Sequence, residues 1–125
     1  MIRLGIVVFG LLLASPWEET VTLKGWLSDK GCAQAKVAGT ETVTPNGTVC
    51  VKKCLDEGAT PVFVDPASRT LYELKDYPTA REDVGYHLEL TGVIDPKTKT
   101  ISVRGVKRLR EVVNMCALPK KAVVR

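Results

Sequence analysis

Thr48–Asp65, TVCVKKCLDEGATPVFVD, holds two different periods within eighteen residues. Thr48 suits the N-cap of a short helix over residues 49–57, and Gly58 suits its stop. On such a helix Val51 and Leu55 share one face. Cys50 and Cys54 lie beside them on adjacent turns. PVFVD at 61–65 then reads as a short strand, followed by the turn PASR and a second strand, TLYELK, at 70–75. A single helix feeding a hairpin points to a mainly β domain. The two thiols raise the question of a metal site, a redox pair or disulfide anchors.

The flanking segments are strands as well. Upstream, TVTLKGWL at 20–27 alternates, with Val21, Leu23 and Leu27 on one face and Trp26 on the other. Gly25 interrupts it, as at a bulge or tight bend. SDKG at 28–31 reads as a turn, and most of 33–47 as a loop punctuated by Gly39, Pro45, Asn46 and Gly47. Downstream, DYPTARED at 76–83 reads as a turn with one helical coil. YHLELTGVID at 86–95 alternates, Asp95-Pro96-Lys97-Thr98 turns the chain, and TISVRGVKRL at 100–109 returns. The phase slips at Gly105, which predicts a bulge that re-aims Val106. Five strands with glycine in their middles suit the bends of a small barrel. The expectation is a five- or six-stranded OB-like barrel with one short helix after the first strand, ahead of an SH3-like barrel or a small sandwich.

The spaced pattern GWLSDKGC, CVKKC, GATPVFVD, HLELTGVID and ISVRGVKRL resembles a family of small exported bacterial OB-fold domains of unassigned function. The resemblance covers roughly residues 20–109. Cys32 is followed by Ala33 where that family has glycine, and Cys116 lies beyond the shared region. The resemblance implies the fold and export, and brings no catalytic residues.

The whole chain has 125 residues and a net charge of +4, enough for one domain with one modest core. Its opening, MIRLGIVVFGLLLAS, has Arg3 followed by an apolar run from Leu4 to Leu13. That run fits a signal-peptide core and is too short to span a bilayer. Residues 1–15 are therefore read as a signal peptide, with an uncleaved anchor or a buried first strand as the alternative. Residues 16–125 are read as one domain ending in an extension over 110–125. The expected location is secreted or periplasmic, with no stable membrane span once the leader is removed.

All four cysteines, Cys32, Cys50, Cys54 and Cys116, follow the leader, and an even count in an oxidising compartment reads as two disulfides. Cys50 and Cys54 point the same way from a rigid helix, so each needs a distant partner. Two pairings satisfy this: Cys32–Cys50 with Cys54–Cys116, which is preferred, or Cys32–Cys54 with Cys50–Cys116. The alternative is a zinc or copper site using Cys32, Cys50, Cys54 and His87. No C-x-x-C motif marks a redox pair.

No nucleophile elbow, phosphate loop or paired-carboxylate arrangement is present, and His87 with Glu89 reads as two outward polar residues. The chain is therefore read as a non-catalytic binding or envelope-associated module that uses no cofactor. Its partner would be a peptide, a glycan or a protein of the envelope or exterior, with nucleic acid not expected. The candidate ligand face is Trp26, Phe63, Tyr72 and Arg104, with Arg69 and Lys107 interleaved.

Overall fold

The structure is a computed structural model that describes residue 10 and residues 19–112. Apart from Gly10, the leader at 1–15 lies outside the described residues, as do Cys116 and all of the extension past Val112. The domain is mainly β. Five strands run β1 (Thr20–Asp29), β2 (Pro61–Asp65), β3 (Thr70–Lys75), β4 (Tyr86–Asp95) and β5 (Thr100–Glu111). The strand order is β1-β2-β3-β5-β4, and β4 pairs back onto β1, so the sheet closes into a ring. All pairings are antiparallel except β3 with β5, a short parallel stretch of Glu73–Lys75 against Thr100–Ser102.

β1 makes the closure possible. Thr20–Gly25 pairs with β4, and Trp26–Asp29 pairs with β2. The strand changes partner at Gly25, where a Cβ would lie 1.8 Å from the Val64 carbonyl oxygen. Only glycine lets the two backbones approach this closely.

The expected slip in β5 is present. Thr91 faces Gly105 while Gly92 faces Val103, which leaves Arg104 as the extra residue of a bulge. The bulge lets Val103 and Val106, three residues apart, both pack into the interior cluster. A second irregularity leaves Leu109 between the paired Arg108 and Arg110.

Both hairpins use one turn chemistry. In Asp65-Pro66 and Asp95-Pro96, the aspartate Oδ1 accepts from the backbone N–H two residues on, at 3.1 and 2.9 Å. Each loop ends in a left-handed residue, Arg69 (φ 53°) or Lys99 (φ 54°).

Two helices replace the single helix expected between β1 and β2: α1 (Lys30–Ala38) and α2 (Thr48–Asp56). The turn residues SDKG and the lack of a firm period over 33–47 hide α1 in the sequence. Asp29 at its N-cap and the helix-favouring run AQAK outweigh Gly31 and Gly39. A short 3-10 turn spans Ala80–Asp83. α2 begins on Thr48 itself, with Gly47 at the N-cap position and no side-chain cap. At its other end, Ala59 N–H donates to Cys54 O and Gly58 N–H to Leu55 O, with Gly58 left-handed at φ 99°. This is the Schellman stop the sequence implied.

The apolar residues form two layers. Inside the ring, Leu27, Phe63, Leu88, Leu90, Ile101 and Val103 pack together, joined by Val51 of α2 and by Ala80 and Val84. Outside it, Trp26, Val62 and Val64 pack against Ala33 and Val37 of α1 and Val43 of the following loop. The end of β1 and all of β2 are thus covered on both faces. No helix among the described residues is long and apolar enough to cross a membrane.

Candidate functional site

Where β1 runs into α1, one buried carboxylate meets two thiols. Asp29 is the last residue of β1 and the N-cap of α1, and its Oδ2 accepts from Cys32 N–H at 3.0 Å. The cap bond fixes Cys32 in the first turn of α1. Cys54 comes from the last turn of α2. A ligand atom from each of Asp29, Cys32 and Cys54 lies within 4.8 Å of the other two. Asp29 is 3% exposed, and its second oxygen, Oδ1, is buried with no hydrogen-bond partner. The neighbouring cation does not relieve it, because Lys30 Nζ turns to Glu73 at 2.7 Å.

The electrostatics of the cluster follow from that carboxylate. A hydrogen bond from the thiol to the Asp29 carboxylate first, and burial second, push the Cys32 thiol up to about 11, with smaller contributions from the Asp29 charge and Cys54. The pocket therefore resists a thiolate unless a positive charge enters.

No disulfide joins the described cysteines, and Cys116 lies outside the described residues. Cys32 lies beside Cys54, and Cys50 is exposed. Cys32, Cys50 and Cys54 are all free in the structure. Of the four residues of the alternative metal set, Cys32 and Cys54 come together, with Asp29 beside them, while Cys50 and His87 are not part of that cluster. His87 instead meets Trp26 edge-on, with ring centroids 5.7 Å apart. Burial, and then the charge of Arg110, lower its pKa. Asp29 was read as a turn residue, and its part in the cluster could have been suspected only from its place three residues before Cys32.

The proposed aromatic face does not assemble. Phe63 is fully buried inside the ring, and Trp26, at 5% exposure, lies under α1 on the opposite face of the sheet. Tyr72 packs half-buried against the interior cluster, and Arg104 stands exposed at the bulge. Arg69 is also committed. Its guanidinium donates to the carbonyls of Lys36 (3.2 Å), Val37 (3.0 Å), Gly39 and Glu41 (2.6 Å), closing the C-terminal end of α1.

The acidic residues around the 3-10 turn are likewise engaged. Asp83 accepts from Tyr77 and from Arg108 Nε at 2.8 Å, and Arg108 lies over the Tyr86 ring, 4.3 Å from its centroid. Asp56 accepts from Arg81 at 2.6 Å.

One further concavity lies at the far end of the ring. An open groove of about 580 Å³ runs between the end of β3 and the β4–β5 turn. Lys75, Asp95, Lys97, Thr98, Thr100 and Ser102 supply its polar lining, and Val93, Ile94 and Pro96 its apolar part. Neither lysine is ion-paired among the described residues. Comparison with protein-family models, curated proteins and solved structures found no match to this chain.

Proposed function

We propose that the chain is an exported, non-catalytic binding module built on an OB-like barrel and stapled by two disulfides. The strand order β1-β2-β3-β5-β4, with one long β1 shared between two partners, supports the OB-like reading. In such folds the loop joining strands four and five helps to bind ligands. The observation that carries the binding reading is the groove against that loop, lined by two lysines, one aspartate and three hydroxyl residues beside Val93, Ile94 and Pro96. The two lysines outnumber Asp95, whose Oδ1 already accepts from Lys97 N–H, so the lining suits a carboxylate-bearing polar chain, such as an acidic envelope glycan or an acidic peptide. Backbone amide shifts during titration with soluble acidic glycan fragments and acidic peptides test it. Movement centred on Lys75 and residues 93–102, lost in the Lys75→Ala/Lys97→Ala double variant, is the expected result. Shifts that avoid the groove, or none with either ligand class, would refute the assignment.

The staples in this reading are Cys32–Cys54 and Cys50–Cys116. The first rests on the adjacency of the two thiols. The second rests on where β5 delivers the chain. Val112 N–H donates to Gly85 O at 2.7 Å, and a Cβ on Gly85 would lie 2.9 Å from the Thr48 side chain. Residue 112 therefore sits near the start of α2, where Cys50 is exposed. Four residues reach at most about 14 Å, which puts Cys50 within range of Cys116. Non-reducing peptide mapping of the secreted protein is expected to return these two linkages, and recovery of Cys32–Cys50 would refute the pairing.

A further inference from the structure

We propose that, in the dithiol state, Asp29, Cys32 and Cys54 form a binding site for a thiophilic divalent cation, with Zn²⁺ the best match. A staple accounts for the two sulfurs. It gives no reason for a carboxylate buried beside them with one oxygen unpaired. Leaving a buried acceptor without a partner costs about 1–3 kcal/mol, and more for a charged group. The N-cap role of Asp29 uses only Oδ2. A cation against Oδ1 and the two sulfurs would satisfy the orphan oxygen and balance the carboxylate and the two thiolates that binding creates.

The donor set and its mounting agree with this. Two thiolates and a carboxylate suit Zn²⁺, and three protein ligands leave the fourth tetrahedral position to water. The ligands come from the end of β1, the first turn of α1 and the last turn of α2. The ion would pin both helices to the ring. Binding displaces the proton of each thiol into solvent and moves no electrons. The charge of the centre becomes that of one dication against three anions. Because each thiol must lose its proton to bind the ion, affinity should rise with pH.

Disulfide formation between the same sulfurs consumes both thiolates, so the metal site and the staple are mutually exclusive states. The proposal does not rest on the groove or on the staple reading. Peptide mapping of the oxidised protein and metal titration of the reduced protein fail independently.

The test is anaerobic titration of the full chain, fully reduced, with Co²⁺ followed by Zn²⁺ competition. Cys50→Ser/Cys116→Ser serves as the background, so that two thiols remain. Saturable sulfur-to-cobalt charge-transfer absorption with tetrahedral visible bands, displaced by Zn²⁺, is expected. Asp29→Asn keeps a good N-cap and should weaken Co²⁺ binding by about 10–100-fold or more. Cys54→Ser should remove most of the charge-transfer intensity. If the reduced protein is unfolded without metal, recovery of its circular dichroism on adding Zn²⁺ supports the site, and failure to recover overturns it. Absence of the sulfur band, or full affinity in Asp29→Asn, also overturns it.

Discussion

Single residues in this domain carry charge states that the covering layers impose. His87 is the clearest case. Packed edge-on against Trp26, it is pushed toward the neutral imidazole by burial and by Arg110. A depressed folded-state pKa gives stability that is present above the unfolded value of 6.5 and lost as pH falls through the folded value. Thermal melting should therefore show an acid-side loss beginning below about pH 6.5. His87→Gln should flatten that limb while leaving melting at pH 8 little changed. An unaltered limb in the variant would assign the acid loss to the carboxylates instead. Asp29 lies under the same covering layers. Its position is explained by helix capping, and its unpaired oxygen is not.

At the scale of elements, α2 is closed by its own Gly58, whereas α1 and the 3-10 turn are each held by an arginine from far along the chain. α1 has an N-cap within its own segment, but its C-terminal carbonyls are satisfied from the β2–β3 hairpin, some thirty residues on, by Arg69. The fork geometry of the guanidinium lets one side chain serve several carbonyls at once. Arg69→Ala should lower stability by about 1–3 kcal/mol, measured by chemical denaturation. Arg69→Lys should recover little of this, since an ammonium cannot span the same carbonyls. Hydrogen exchange should report the loss first at residues 36–41. The 3-10 turn is held in a comparable way by Arg108 of β5, through Asp83 and the Glu82 carbonyl.

For the molecule as a whole, ring closure depends on one strand serving two sheets' worth of partners. Gly25 marks the transfer, and any side chain there meets the backbone of Val64 and the ring of Phe63. Gly25→Ala should cost at least the upper end of the roughly 1–3 kcal/mol typical of overpacking, with exchange protection lost on both the β1–β2 and β1–β4 pairings. Protection lost on only one pairing would mean the two halves of β1 fold independently. The interior that closure encloses is small: Phe63, Leu88, Leu90 and Ile101 are its fully buried large residues. Burying each contributes about 1.5–3 kcal/mol. With so few, a sulfur or metal link between α1 and α2 would add a large share of the total, because a disulfide typically contributes about 2–4 kcal/mol.

The sequence alone determined the strands. Alternation bounded by Asp-Pro turns placed β2, β3 and β4 residue for residue, and the broken phase at Gly105 placed the bulge. These are local properties, set by pleat period and turn chemistry. It also picked out the two-cysteine helix and its glycine stop. It did not yield α1, whose last turn is completed by Arg69 across the fold, nor the burial of Trp26, which depends on α1 lying over the outer face of the sheet. A period-two pattern shows which residues share a face but not whether a second layer covers it. For the same reason the choice of Cys54 rather than Cys50 beside Cys32, and the presence of Asp29 between them, came only from the way the ring and the two helices pack.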